Sequence, residues 1–115
     1  MNASIVYKWL LQATSLIGQS FGKLGTVVEN PDLDITGFTD HGINQVISRD
    51  LAPADLLSTV NSPSVVLQQS GGQYLFLSNQ AGVVLNPAGQ VIKAYPSIMF
   101  GPGVLNVMSR FSIVP

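Results

Sequence analysis

The stretch "SVVLQQSGGQYLFLSNQAGVVLNPAGQVIKAYP", residues 64–96, decides the fold of this chain. It contains short runs of β-branched, aromatic and other apolar side chains, a composition that favours strands. The connections "GG", "NQ" and "PAG" between these runs are short enough to join antiparallel neighbours. We therefore predict an antiparallel meander built from "SVVLQQS", "QYLFLS", "AGVVLN" and "QVIKAY".

The last strand of this meander displays two chemically active side chains. With a period of two, one face of the strand receives Val91, Lys93 and Tyr95, and the other receives Ile92 and Ala94. The segment "IMFGPG" then interrupts the pattern, and "VLNVMSRFSIV", residues 104–114, could form a fifth strand. We expect an antiparallel sheet of four to five strands.

A helix is predicted in "FTDHGINQVISRD", residues 38–50, ahead of the meander. Either Thr39 or Asp40 can be its N-cap, since both side chains accept hydrogen bonds from a first helical turn. Its apolar stripe consists of Ile43, Val46 and Ile47. At about 100° per residue, a polar line formed by His41, Gln45 and Arg49 runs along nearly the opposite side. This line is either a solvated helix face or the wall of an active site.

The segments on either side of this helix are shorter. A second helix is predicted in "APADLLSTV", residues 52–60, because proline suits a first helical turn and the following "NSP" ends the helix. Upstream, "GKLGTVVENPDLDITG", residues 22–37, has the composition of a loop with one short extended piece at residues 25–28.

The N-terminal stretch "ASIVYKWLLQATSLIGQSFG", residues 3–22, raises the question of a membrane. Polar side chains interrupt it, so it falls short of the roughly 20 mostly apolar residues of a membrane span. It also lacks a clear cleavage site of a secretory signal. The spacing fits the stripe of a packed amphipathic helix formed by Ile5, Trp9, Leu10, Leu16 and Ile17. We expect a packed helix here and no stable membrane span.

Composition limits the classes of function. The chain has 115 residues, of which 46% are hydrophobic and 10% charged, against about 25% charged in an average domain. Such a composition excludes disorder and leaves a neutral surface that suits a partner. A net charge of −1 gives no basic footprint for nucleic acid. The absence of cysteine excludes disulfides, thiolate nucleophiles and cysteine-bound zinc, and one histidine makes a His-rich metal site unexpected.

These patterns together predict a single α+β domain over residues 1–115. Residues 1–37 form a helical and loop segment, and residues 38–115 form the helix-plus-antiparallel-sheet core, with the N-terminal helices packed on the sheet. If the first core helix turns its apolar stripe inward, its polar line flanks the strand face that carries Lys93 and Tyr95. His41 and Arg49 would then meet these two residues in one shallow cleft.

Three segments, in this order, resemble a known pattern: "FTDHGINQVISRD", "LLSTVNSP" and "YLFLSNQAGVVLNPAGQVIKAYP". Small bacterial toxin domains of the barnase/EndoU/colicin/RelE-like fold have a helix with a "TxHxxxQxxxR"-like line, a second helix ending in "NP", and strands with "VVxN..GxVxxxY". The chain is most similar to C-terminal toxin domains of contact-dependent growth-inhibition proteins and related polymorphic toxins. Members often have threonine or serine just before the final tyrosine. Here Lys93 and Ala94 precede it, so Ser97 or Ser78 would have to supply that hydroxyl.

The resemblance implies a ribonuclease that needs no metal or other cofactor and that, as in several relatives, cuts transfer RNA. It also implies an immunity protein as a partner, with no role for DNA. Such a domain would be secreted or delivered from a cell surface within a larger effector, and would act in the cytoplasm of the target cell.

The implied chemistry can be assigned to residues. RNA cleavage by its own 2′-hydroxyl needs a base, a cation for the phosphorane charge and an acid for the leaving 5′-oxygen. His41 is the candidate proton carrier, because an unperturbed imidazole exchanges a proton near neutral pH. Arg49 offers a fork for phosphate oxygens, and Lys93 a point charge or proton shuttle. Tyr95 could donate to phosphate or stack on a base. The candidate substrate-binding residues are Gln45, Thr39, Ser97 and Ser78.

Each of these residues also has an ordinary structural interpretation. His41 and Gln45 could be solvated side chains, and Thr39 a helix cap. Arg49 could complement the helix dipole, and Lys93 could protect an edge strand from aggregation. Tyr95 could pack at the sheet rim.

Two other classes of function stay open at this stage. In one, the chain is a non-catalytic domain that docks on a larger assembly through its neutral, apolar surface. In the other, the N-terminal segment acts on membranes and the sheet domain is its carrier.

Overall fold

The predicted meander forms the centre of a six-stranded sheet. The computed structural model describes residues 16–111. Its strands are β1 Thr26–Val28, β2 Gly37–Phe38, β3 Val65–Gln69, β4 Gln73–Leu77, β5 Ala81–Leu85 and β6 Gln90–Pro96. Its helices are α1 Asp40–Ser48, α2 Pro53–Asn61 and α3 Pro102–Arg110. The α+β class is thus confirmed, and the predicted meander strands and both predicted core helices are present.

The sheet is mixed, with strand order β1-β3-β4-β5-β6-β2. Strands β3 to β6 pair antiparallel as predicted, and β1 adds an antiparallel neighbour to β3. Strand β2 instead pairs parallel with β6, with Gly37 opposite Gln90 and Phe38 opposite Val91. The prediction of a purely antiparallel sheet was therefore wrong. A strand of two residues is too short to give a period-two signal in the sequence.

Pro102–Arg110 form helix α3, which corrects the prediction of a fifth strand from residue 104 onward; residues 112–114 of that prediction lie outside the described residues. Pro102 occupies the first turn of α3, where its missing N–H costs nothing. Val104, Val107 and Met108 are buried at helical spacing. The two valines have strand propensity, but Val107 and Met108 lie three and four residues after Val104, which matches one helix face.

The sheet carries an apolar cluster on each face, because neighbouring strand residues alternate sides. Leu67, Leu75 and Val84 pack with α3 on one face. Phe76, Val83 and other residues pack on the opposite face with Leu56 and Val60 of α2. Helices therefore cover both faces of the sheet. The sequence had predicted helices only before the strands in chain order, and α3 follows them.

The N-terminal prediction is tested only at its end. Residues 16–18 form a turn in which Leu16 is buried and Ile17 is exposed. The rest of the predicted helical stripe, Ile5, Trp9 and Leu10, lies outside the described residues. Between residues 16 and 111, no helix combines the length and the apolar character needed to cross a membrane.

Strand β6 contains a β-bulge that changes which side chains share a face. Val84 pairs with Lys93 and Leu85 pairs with Val91, so Ile92 is the extra residue. Val91 and Ala94 consequently pack in the cluster on the α2 side, while Ile92 and Tyr95 pack toward the α3 side. Lys93 and Tyr95 share a face as predicted. The placement of Val91 with them was wrong, because strict alternation ignores the bulge.

Candidate active site

A cleft of about 300 Å³ opens on the α3 face of the sheet, next to the bulge in β6. Apolar side chains form part of its lining: Leu24, Leu75, Val84 and Ile92. Its polar lining consists of His41, Gln69, Gln73, Lys93 and Tyr95. Three of the residues predicted for the site therefore meet at this cleft although they come from two separate segments. They are His41, Lys93 and Tyr95.

The first turn of α1 is tied to β6, and this brings His41 to the cleft. Thr39 is the N-cap: its Oγ1 accepts from Gly42 N at 3.1 Å and donates to Val91 O at 3.3 Å. The backbone N–H of Thr39 also donates to Val91 O, at 3.1 Å. Thr39 thus has the structural role of a cap, and the exposed side chain of His41 follows two residues later.

Gln45 is buried between α1 and β6, with 9% of its surface exposed. Its Oε1 accepts from Ala94 N at 2.9 Å, and its Nε2 lies 2.7 Å from Nε2 of His41. The polar line of α1 therefore faces the strand, and Ile47 of the predicted apolar stripe is 70% exposed. The predicted inward stripe holds for Val46, which packs on the α2-side cluster, and fails for Ile47. The polar line turns to β6 because β2 ends after pairing with Val91. Buried backbone groups farther along β6 need partners, and α1 supplies them.

Arg49 is hydrogen-bonded to the same residue of β6. Its Nη1 donates to Ala94 O at 2.9 Å, so Gln45 and Arg49 hold the N–H and the C=O of one residue. Arg49 does not line the cleft. Its guanidinium is nevertheless close enough to Tyr95 to lower the pKa of the phenol against the effect of burial. Arg49 is thus held at Ala94 of β6, between Lys93 and Tyr95 in the chain, and of the four residues expected to share one cleft it is the one that does not line it.

The polar groups of Lys93 and Tyr95 have no hydrogen-bond partner among residues 16–111. Lys93 is exposed, and neither its ammonium nor the Tyr95 hydroxyl makes a hydrogen bond within that part of the chain. The Tyr95 ring is fixed by an edge-on contact with Phe100, with centroids 5.8 Å apart and planes at 86°. Burial raises the pKa of Tyr95 to about 12, so its hydroxyl stays protonated near neutral pH and can donate a hydrogen bond.

The raised pKa of Tyr95 predicts a loss of stability at alkaline pH. An unfolded tyrosine titrates near about 10, so between that pH and about 12 the unfolded chain releases a proton that the folded chain keeps. The free energy of unfolding should therefore fall as pH rises through this window. Denaturant unfolding of the parent and of Tyr95→Phe across the window measures the effect. The decline should be shallower in Tyr95→Phe, and equal declines would contradict the assignment.

Two residues proposed from sequence lie away from the cleft. Ser78 is buried in the β4–β5 turn, where its Oγ is 2.7 Å from Thr59 Oγ1 and accepts from Gln80 N and Ala81 N. Ser97 follows β6, and its backbone N–H donates to Gln80 O. Neither residue lines the cleft, so neither supplies the hydroxyl that the family pattern has before its tyrosine. Their contact with substrate stays a prediction that this cleft does not support.

The sequence reasoning missed two amide side chains of the cleft. Gln69 and Gln73 face each other across the β3–β4 hairpin. Gln69 Nε2 donates to Leu24 O at 3.0 Å, which ties the segment before β1 to the cleft. Their position could have indicated this, because they flank the "SGG" turn at the ends of two correctly predicted strands.

The cleft is cationic in a chain of slightly negative net charge. Its titratable lining residues are His41, Lys93 and Tyr95, and no carboxylate is among them. Across residues 16–111, no three histidine or acidic side chains come together in a way that could hold a metal ion. The cleft thus combines an ammonium, an imidazole and a phenol with a partly apolar floor. These groups can bind an anionic ester and transfer a proton to or from it.

Comparison with known proteins gives one similarity. The chain is 42% identical over 67 residues to a Bacillus subtilis (strain 168) protein named tRNA nuclease WapA. The similar region is 55% of this chain and 3% of the length of that protein. No family model matches the chain, and no solved structure does.

Proposed function

We propose that this chain is an endoribonuclease that cleaves transfer RNA. The observation that carries the proposal is the meeting of His41, Lys93 and Tyr95 around one cleft without a carboxylate. Its support is twofold: the chemistry of these three groups suits a phosphodiester, and the similar protein is named as a tRNA nuclease. The barnase/EndoU/colicin/RelE-like pattern that the sequence resembles implies the same activity.

The reaction is a transesterification within the RNA. The 2′-oxygen attacks the adjacent phosphorus, a new P–O2′ bond forms, and the P–O5′ bond breaks. The 2′-hydroxyl proton passes to a base, and a proton is supplied to the leaving 5′-oxygen. The products are a 2′,3′-cyclic phosphate and a 5′-hydroxyl. Because the nucleophile belongs to the substrate, proximity is built in and no metal-bound water is needed.

Each group of the cleft has a role in this reaction. The Lys93 ammonium neutralises charge that develops on the non-bridging oxygens, and the protonated Tyr95 hydroxyl donates a hydrogen bond to the same phosphate. His41 takes the proton from the 2′-hydroxyl and returns it to the leaving 5′-oxygen. Arg49 acts indirectly. It donates to the carbonyl of Ala94, the residue between Lys93 and Tyr95, and so fixes this part of the strand.

The other lining residues suit the nucleoside. Leu75, Val84 and Ile92 provide apolar contact for a ribose or base, and the amides of Gln69 and Gln73 provide hydrogen-bonding groups for base edges. The low overall charge means weak long-range attraction to RNA, so these local contacts carry much of the recognition.

We further propose that the domain is a toxin that competing bacteria deliver into a target cell as part of a larger secreted or surface effector. The match to a small share of a much longer protein supports this setting. A cognate immunity protein would protect the producer. Ile98, 91% exposed, and the exposed Met99 directly follow β6 and give such a partner an apolar surface adjoining the Tyr95 end of the strand.

The proposed reaction predicts specific RNA ends. Purified protein incubated with bulk transfer RNA in excess EDTA should produce fragments with a cyclic phosphate and a 5′-hydroxyl. The Lys93→Ala variant is the matched control, since cleavage by a contaminating nuclease would survive this change. Fragments with a 5′-phosphate would establish a water nucleophile, and loss of activity in EDTA would establish a need for a metal ion; either result would overturn the mechanism. If the RNA stayed intact, the proposal of a nuclease would be contradicted, and a non-catalytic docking domain would be favoured.

A further inference from the structure

The orientation of the Gln45 side-chain amide follows from its contact with β6. The backbone N–H of Ala94 can only donate, so the Gln45 atom 2.9 Å away must be the carbonyl oxygen Oε1. A reversed amide would oppose two N–H groups at a buried strand position, which costs the full desolvation of both. The NH₂ group of Gln45 therefore points to His41.

This orientation determines the state of the imidazole. Gln45 Nε2 is 2.7 Å from His41 Nε2, and a primary amide nitrogen is a donor only. His41 Nε2 must then accept with its lone pair, which leaves the ring proton on Nδ1. We infer that Gln45 is a positioning residue that fixes His41 in the neutral Nδ1–H tautomer, so that the ring presents an N–H donor to a phosphate in the cleft.

The tautomer has a consequence for the reaction, and this step rests on the proposed function. Nδ1 has no protein partner between residues 16 and 111, so it is the ring nitrogen available to a phosphate oxygen. Nε2 can take up the 2′-hydroxyl proton only when that hydroxyl replaces the Gln45 amide. Gln45 thus determines which ring nitrogen donates and which accepts. The other titratable groups around the ring are Lys93 and Tyr95 of β6, and Asp40 of α1 precedes it in the chain.

The Gln45→Glu variant tests this assignment while keeping the size and shape of the side chain. One carboxylate oxygen can still accept from Ala94 N–H, while the other now requires a proton on His41 Nε2. The variant should therefore invert the tautomer and keep the strand contact. Asn44→Asp is the matched control, because it adds the same charge at an exposed position of the same helix.

Nitrogen-15 NMR of the imidazole gives the readout. His41 is the single histidine of the chain, so its ring signals need no assignment. Above the pH range in which imidazoles titrate, the parent and Asn44→Asp should show an N–H at Nδ1 and a lone pair at Nε2. Gln45→Glu should show the reverse, with the Ala94 amide still protected from hydrogen exchange. An Nε2–H tautomer in the parent, or the same tautomer in all three proteins, would overturn the inference.

Transfer RNA cleavage is measured on the same samples. Gln45→Glu should lose about 10²-fold in rate, since misplaced ring protons remove the contribution of general acid–base catalysis. Parent-like cleavage with an inverted tautomer would refute the catalytic consequence. If the parent itself does not cut RNA, the proposed function fails, whereas the NMR result still decides the tautomer.

Discussion

Replacing His41 with alanine is expected to slow transfer RNA cleavage by about 10²–10⁴-fold, the usual contribution of a positioned proton-transfer group. His41 is exposed, and its contact with Gln45 is its one hydrogen bond within residues 16–111. The fold should therefore survive, with the Gln45 amide hydrogen-bonded to water in place of the ring. Single-turnover rates with the protein in excess over transfer RNA measure the effect on the chemical step.

Asn44→Ala is the matched control for His41→Ala. It removes an exposed polar side chain from the same helix, and Asn44 does not line the cleft. Its cleavage rate should stay near that of the parent, and both variants should unfold at similar denaturant concentrations. If His41→Ala cleaved at the parent rate, the imidazole would have no role in the reaction, and Lys93 and Tyr95 would remain as the candidate reacting groups.

A second large effect is expected at Gly42, where α1 comes closest to β6. Gly42 is buried, and a Cβ there would overlap the carbonyl oxygen of Val91, which is backbone and cannot rotate away. We expect Gly42→Ala to lower the free energy of unfolding by about 3 kcal/mol, at the upper end of overpacking effects. The strain falls on the first turn of α1, so the variant should also lose cleavage activity because His41 is displaced.

Equilibrium denaturation in urea measures this change in stability. Gly37→Ala is the control, because a Cβ at Gly37 meets open space. That substitution should change the free energy of unfolding by less than about 0.5 kcal/mol. If Gly42→Ala were as stable as Gly37→Ala, α1 would not be seated on the Val91 carbonyl, and the route by which His41 reaches the cleft would be wrong.

The sequence was sufficient to predict the strands of the meander and the two core helices. Their side chains alternate or repeat at regular spacing, and their ends carry proline, glycine or a capping threonine. This regularity also explains why Lys93 and Tyr95 could be placed on one face. Their meeting with His41 was expected from the placement of the polar line of α1 beside the strand, and the lining of the cleft agrees with it.

The errors arose where tertiary contacts outweigh local pattern. The inward orientation of Gln45 depends on Ala94, which lies 49 positions away in the chain, so no helical period can reveal it. The bulge at Ile92 is a property of the β5–β6 register, and strict alternation cannot detect it. For α3, strand propensity of the valines was given more weight than their helical spacing.

The side chains that α1 extends to β6 have a further consequence for assembly. Gln45 and Arg49 occupy the hydrogen-bonding groups of Ala94, and on the far side of the sheet Gly18 and Gln19 pair with Val27 of β1. At these positions, neither margin of the sheet offers free backbone groups to an added strand. Copies of the chain should therefore resist edge-to-edge polymerisation there. At Ala94, an inhibitor would have to recognise the chain through side chains and surface shape, because a strand donated there would first require α1 to detach.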